Sequence, residues 1–132
     1  METVFDKPLD KKVASLNDHI ATISAYSTGS FQISHSNITS AERALTRKLG
    51  RLVIVDLTFI VGTTISADEA ELFKGLPEAQ NATRFRIPHS YDATKPPLTL
   101  IITTSGKINN QWSNGGVSTG QWAGQFCYIA KE

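Results

Sequence analysis

A single cysteine, Cys127, closes off two classes of protein at once. The chain cannot be stapled by an intramolecular disulfide, and it cannot build a cysteine-based zinc cage. Cys127 stands inside an apolar strand pattern, which predicts a small buried core residue. Long hydrophobic runs are also missing: no window approaches the roughly 18 apolar residues of a membrane span. Neither sign of charge dominates, since 13 Lys+Arg against 12 Asp+Glu leave a net charge of +1. The electrostatic case for nucleic acid or an anionic membrane is therefore absent. The first residues carry Glu2 and Asp6 and no apolar stretch, unlike a signal peptide. A product of the cytoplasm that acted outside the cell would leave by lysis or within a larger particle. His19, His35 and His89 have no metal-ligand spacing, and neither a nucleophile elbow nor a phosphate loop occurs. Neither a metal, a cofactor nor an enzyme activity is expected.

The stretch from Leu9 to Ile23 organises what is present. Leu9, Val13, Leu16, Ile20 and Ile23 follow each other in steps of four and three. That is heptad spacing, with Val13 and Ile20 at a and the others at d. The stripe is narrow, where a core-facing helix usually adds e or g positions. Asp6 suits an N-cap and Pro8 the first turn, so a helix is predicted from about Pro8 to Ser24. The expectation is a coiled-coil stalk over residues 1–27 whose oligomer interface is Leu9, Val13, Leu16, Ile20 and Ile23. Val13 with Leu16 leans to two strands, and Ile20 with Ile23 to three or four. The same stripe could instead lie on the chain's own sheet, and about two heptads are too short to hold subunits alone. Ser27-Thr-Gly-Ser30 reads as a hinge.

Residues 28–132 read as a β head. Leu52 to Val61 is the clearest strand, with Val53, Val55, Leu57, Phe59 and Val61 on one face and Leu52, Ile54, Asp56, Thr58 and Ile60 on the other. A strand apolar on one side and half-apolar on the other fits the middle of a sandwich or a sheet covered by a neighbouring subunit. Phe31 to Ile33 reads as a short strand; Ile38 to Leu49 is ambiguous, since Ala41-Glu-Arg-Ala44 allows a helical turn while Leu45 to Leu49 ahead of Gly50-Arg51 looks more like a strand feeding a hairpin. Ser66-Ala-Asp-Glu69 has a capping-box pattern ahead of Leu72, Phe73 and Gly75, predicting one or two helical turns or a structured loop. Its acids, with Glu71, invite a catalytic pair, but acids at a helix start need no chemistry. Thr83 to Ile87 alternates, with Arg84 and Arg86 outward. Pro88 to Pro97 is a loop, Leu98 to Thr104 a strand, and Ser105-Gly106 a turn into Lys107 to Trp112. Gln121 to Ala130 is the last strand, with Trp122, Phe126 and Tyr128 sharing a face. About seven short strands of this kind predict an antiparallel β-sandwich or jelly roll.

The second half carries a sequence of elements with a known counterpart. A strong strand ends at Gly62; Gly75-Leu-Pro-Glu78 follows; then come an alternating strand, Leu98-Thr-Leu-Ile-Ile-Thr-Thr-Ser-Gly-Lys-Ile108, and a closing Phe126-Cys-Tyr-Ile129. This resembles the C-terminal head domains of bacteriophage tail-fibre and baseplate receptor-binding proteins, over roughly Leu45 to Ile129. The chain departs from the family after its Leu-Pro element, reading Glu78-Ala-Gln-Asn-Ala-Thr-Arg84 where a glycine and an aromatic-Arg-Pro are usual. The resemblance implies a homotrimer with a helical stalk below a jelly-roll head, located at the virion tail tip. It also implies attachment to other tail or baseplate proteins through the N-terminus, and recognition of host cell-surface carbohydrate. A purely structural fibre or adaptor protein is the alternative.

Saccharides are held by aromatic faces and by planar polar side chains, usually on loops. That points to His89, Tyr91 and Asp92 in one loop, and to Asn110, Gln111 and Trp112, beside Asn109, near the other. Trp112 stands between polar residues, whereas Trp122 lies on the apolar face and reads as core.

Overall fold

A computed structural model describes residues 27–66, 69–111 and 116–132. The heptad stretch with its five stripe residues, residues 67–68 of the capping pattern, and Trp112 lie outside the described residues. Nine strands are described: β1 (Ser27–Ser30), β2 (Gln32–Ile33), β3 (Ile38–Leu49), β4 (Leu52–Val61), β5 (Glu71–Lys74), β6 (Thr83–Ile87), β7 (Leu98–Ile102), β8 (Ile108–Asn110) and β9 (Gly120–Ile129). They form two antiparallel sheets, one in the order β1-β3-β4-β9 and the other β2-β5-β8-β7-β6. No helix occurs among the described residues. The expected mainly antiparallel β architecture is thus present.

The core lies between the sheets. Val53, Val55, Leu57, Phe59 and Val61 enter it from the four-stranded sheet, and Leu72, Phe73, Ile87, Leu98, Leu100, Ile102 and Ile108 from the five-stranded one. The period-2 alternation of β4 and β7 decides this: successive side chains point to opposite faces, so every second residue is apolar and buried. Phe73 sits edge-on to both Phe31 (5.5 Å) and Phe59 (5.2 Å), tying β5 to the opposite sheet and to the corner where the chain passes from β1 to β2. Trp122 is buried, as expected. Tyr128 donates its hydroxyl to the Pro77 carbonyl at 2.7 Å, and burial pushes its phenol pKa well above the ordinary value.

Three local expectations change, and the ambiguous stretch Ile38 to Leu49 resolves as strand. Ser27–Ser30 is an edge strand paired with β3 from Ser27↔Lys48 to Ser30↔Leu45, not a hinge. An edge strand is held by backbone bonds, so small polar side chains do not forbid it, and Gly29 lets Thr46 come close. Leu72 and Phe73 lie on β5 and not in a helical turn. Both are fully buried side by side, which a register shift between Glu71 and Phe73 permits. Ile38 to Leu49 is strand throughout, with two register shifts. Cys127 is exposed. On β9, Trp122 and Tyr128 are buried, so the odd-numbered Cys127 must face outward.

Candidate functional site

Topology gathers three loops at one end of the sandwich. Val61 at the end of β4 pairs with Gly120 at the start of β9. Ile87 at the end of β6 pairs with Leu98 at the start of β7, and Gln111 after β8 donates its backbone N–H to Thr99 at 2.9 Å. The segments after β4, β6 and β8 therefore share an end, and the predicted residues His89, Tyr91, Asp92, Asn110 and Gln111 all lie near it.

The loop between β6 and β7 is built around His89. Its Nδ1 accepts from the backbone N–H of Tyr91 (3.2 Å) and of Asp92 (3.1 Å). That leaves Nε2 to carry the proton and donate to the Thr119 carbonyl at 3.2 Å. Lys95 Nζ donates to the same carbonyl at 2.9 Å. The imidazole also meets the Trp122 ring edge-on at 4.9 Å, and Trp122 Nε1 donates to Ser118 at 3.0 Å. Gly120 is required at this point: its φ is +114°, and a Cβ there would lie 2.2 Å from His89 Nε2. Asp92 Oδ1 accepts the Thr94 backbone N–H at 3.0 Å and the Thr94 hydroxyl as well. The Thr94 hydroxyl, followed by its amide, holds the Asp92 carboxyl below the usual carboxylate range. Polar groups of the loop thus bond partly within it and partly to Thr119 and Gln121 on the segment leading into β9.

What this frame presents is Tyr91. It is 82% exposed, more than any other exposed large apolar side chain described, and it sits between two residues that are fixed by hydrogen bonds. An exposed aromatic face on a loop whose backbone is hydrogen-bonded can stack on an apolar face of a ligand.

The other predicted residues are placed differently. Asn110 is fully buried on β8 opposite Leu100. Gln111 is buried and accepts a hydrogen bond from Arg84 Nε. Both lie beneath the surface instead of on it. Asn109 is half-buried and faces Ile101. Among the described residues, no three His, Cys, Asp or Glu side chains could together hold a metal ion. Reasoning from sequence did not single out Thr119 or Gly120. Their role depends on a contact made across 30 residues of chain, and Gly120 reads in the sequence only as the end of the glycine-rich loop from Asn114.

Comparison with known proteins adds one finding. No family model matches the chain, and no curated protein matches it. Among solved structures, it is similar to the receptor binding protein (gp15) of Listeria phage PSA, with a TM-score of 0.65 and 20% identity, covering 100% of this chain and 82% of that one. The chain shares the fold of a phage receptor-binding protein. This agrees with the resemblance read from Gly62, Gly75-Leu-Pro and the Leu98 to Ile108 hairpin. At this identity the likeness to gp15 carries the architecture and transfers no site residue.

Proposed function

We propose that this chain is the receptor-binding head of a phage tail fibre or baseplate, a virion component that recognises carbohydrate on the host surface without cleaving it. One observation carries the reading: the whole chain superposes in fold on a phage receptor-binding protein. The loop geometry supports it from the residues upward. Tyr91 stands 82% exposed on a loop whose backbone bonds to His89, open to the C–H face of a sugar. Residues 9–23 supply the stalk through Leu9, Val13, Leu16, Ile20 and Ile23, joining three copies and attaching them to other tail proteins.

The test is binding of the purified full chain to an array of bacterial surface saccharides, with the Tyr91→Ala chain alongside. The expected result is binding to a defined saccharide that Tyr91→Ala loses. A chain that binds no saccharide would favour the purely structural fibre or adaptor role, and release of saccharide fragments would make it an enzyme.

A further inference from the structure

The imidazole of His89 joins two parts of the loop end through nitrogens of opposite character. On the loop side, the Nδ1 lone pair is shared by the backbone N–H groups of Tyr91 (3.2 Å) and Asp92 (3.1 Å). On the β9 side, Nε2 donates to the Thr119 carbonyl at 3.2 Å. Only the neutral ring can do both, since a neutral imidazole has one donor and one acceptor and its cation has two donors. A proton on Nδ1 would set three N–H donors against one another and leave both amides without their acceptor. Turning the ring over gives no escape, because the turn that carries Nδ1 away from the amides also carries Nε2 away from Thr119. The ring cannot slide towards β9 either: it is seated so closely on Gly120 that a Cβ there would stand 2.2 Å from Nε2. Two charged side chains stand by the ring. Asp92, whose amide is one of the two donors, interacts with the charge of His89 and would attract the proton. Lys95 Nζ donates to the same Thr119 oxygen at 2.9 Å and would repel it. The segment from Gly116 to Trp122, which packs against the ring, has no titratable side chain. The two charges oppose each other and leave the two amides to decide.

We propose that His89 is a proton-released latch: its neutral ring fastens the Tyr91 loop to the segment leading into β9, and its protonation frees the Tyr91 and Asp92 backbone, so that recognition through Tyr91 weakens in acid. A proton binds better to the released loop than to the fastened one, so acid favours release. Histidine is the side chain whose charge changes in the span from about pH 8 to about pH 5. The latch follows from the loop geometry alone, and its consequence for binding rests on the saccharide reading proposed above.

The test follows the purified full chain by NMR across that span of pH, reading the His89 ring signals and the exchange of the Tyr91 and Asp92 amides relative to free amides at each pH. The expected result is a protection at both amides that falls about tenfold as the His89 ring takes up its proton, while Val55 in the β4 ladder keeps its own. His89→Asn is the companion variant. Its side-chain oxygen can accept the N–H two residues on, as in an Asx turn, and it does not titrate, so protection at the two amides should no longer depend on pH. Constant protection in the wild-type chain overturns the proposal. So does a loss at a pH where the His89 signals do not move, or an equal loss in His89→Asn. The saccharide array at both ends of the span separates this from the reading it rests on. Binding about tenfold weaker at the acid end, in step with the lost protection, supports the consequence for recognition. Equal binding at both ends with the latch open overturns that consequence. No binding at either end overturns saccharide recognition, and the exchange data still decide the latch.

Discussion

The two sheets use the same inward rule and opposite outward ones. On β4 the inward residues are Val53, Val55, Leu57, Phe59 and Val61, and on β7 they are Leu98, Leu100 and Ile102, all buried. Outward, β4 shows Leu52, Ile54 and Ile60, whereas β6 shows Arg84 and Arg86. Burial of one face against the partner sheet leaves a strand no freedom on that side. The other side is free to differ: β6 turns two arginines outward, and β4 turns out Leu52, Ile54 and Ile60 beside Asp56 and Thr58. The half-apolar outer face of Leu52 to Val61 was the earliest sign of this in the sequence.

The strongest way to break the comparison is to attack the rule the sheets share. Phe73 bridges them through Phe31 and Phe59, and Phe73→Ala should cost about 3–5 kcal/mol by lost transfer energy and a cavity. Chemical denaturation should show both sheets lost in one transition, with the midpoint lowered and the slope unchanged. A smaller effect is expected at the loop end. Gly120→Ala places a methyl group against His89 at a positive φ and should cost about 1–3 kcal/mol, with increased backbone exchange at Tyr91 and Asp92 as the measurement.

Outward substitutions sharpen the contrast. Arg86→Glu on exposed β6 should move stability by no more than about 0.5 kcal/mol, measured by chemical denaturation. The smallest effect is a pH dependence confined to the five-stranded sheet. Glu71 accepts from Lys107 at 2.8 Å and from Ser34, and these partners, Lys107 first, hold its carboxyl below the ordinary range. A depressed acid contributes stability above its unfolded pKa and loses it as pH falls through the folded one. The margin of wild type over Glu71→Gln should therefore be full at neutral pH. It should shrink as the pH drops below about 4.3, the ordinary glutamate value, and thermal melts across that range measure it.

Much of the fold was legible because alternation is a local signal. β4, β6, β7 and the Ser105-Gly106 turn stand where the pattern puts them. The errors fall where local pattern yields to pairing. Ser27–Ser30 became a strand because β3 offers it a ladder. Leu72 and Phe73 escaped the helical pattern because a register shift buries both. Cys127 was misplaced although the shared face of Trp122 and Tyr128 already dictated its parity. At the site, Pro88 and Pro97 delimit the loop, so His89, Tyr91 and Asp92 could be found together. Their division of labour could not, because His89 takes its role from Thr119 and Gly120, which only folding brings near.

The measurement that bears most directly on the proposed role is saccharide binding by three full chains, wild type, Arg86→Glu and Tyr91→Ala, on one array of bacterial surface glycans. The account predicts a defined saccharide bound equally by wild type and Arg86→Glu and lost by Tyr91→Ala. Binding that Tyr91→Ala retains, or no binding by the wild-type chain, would contradict it.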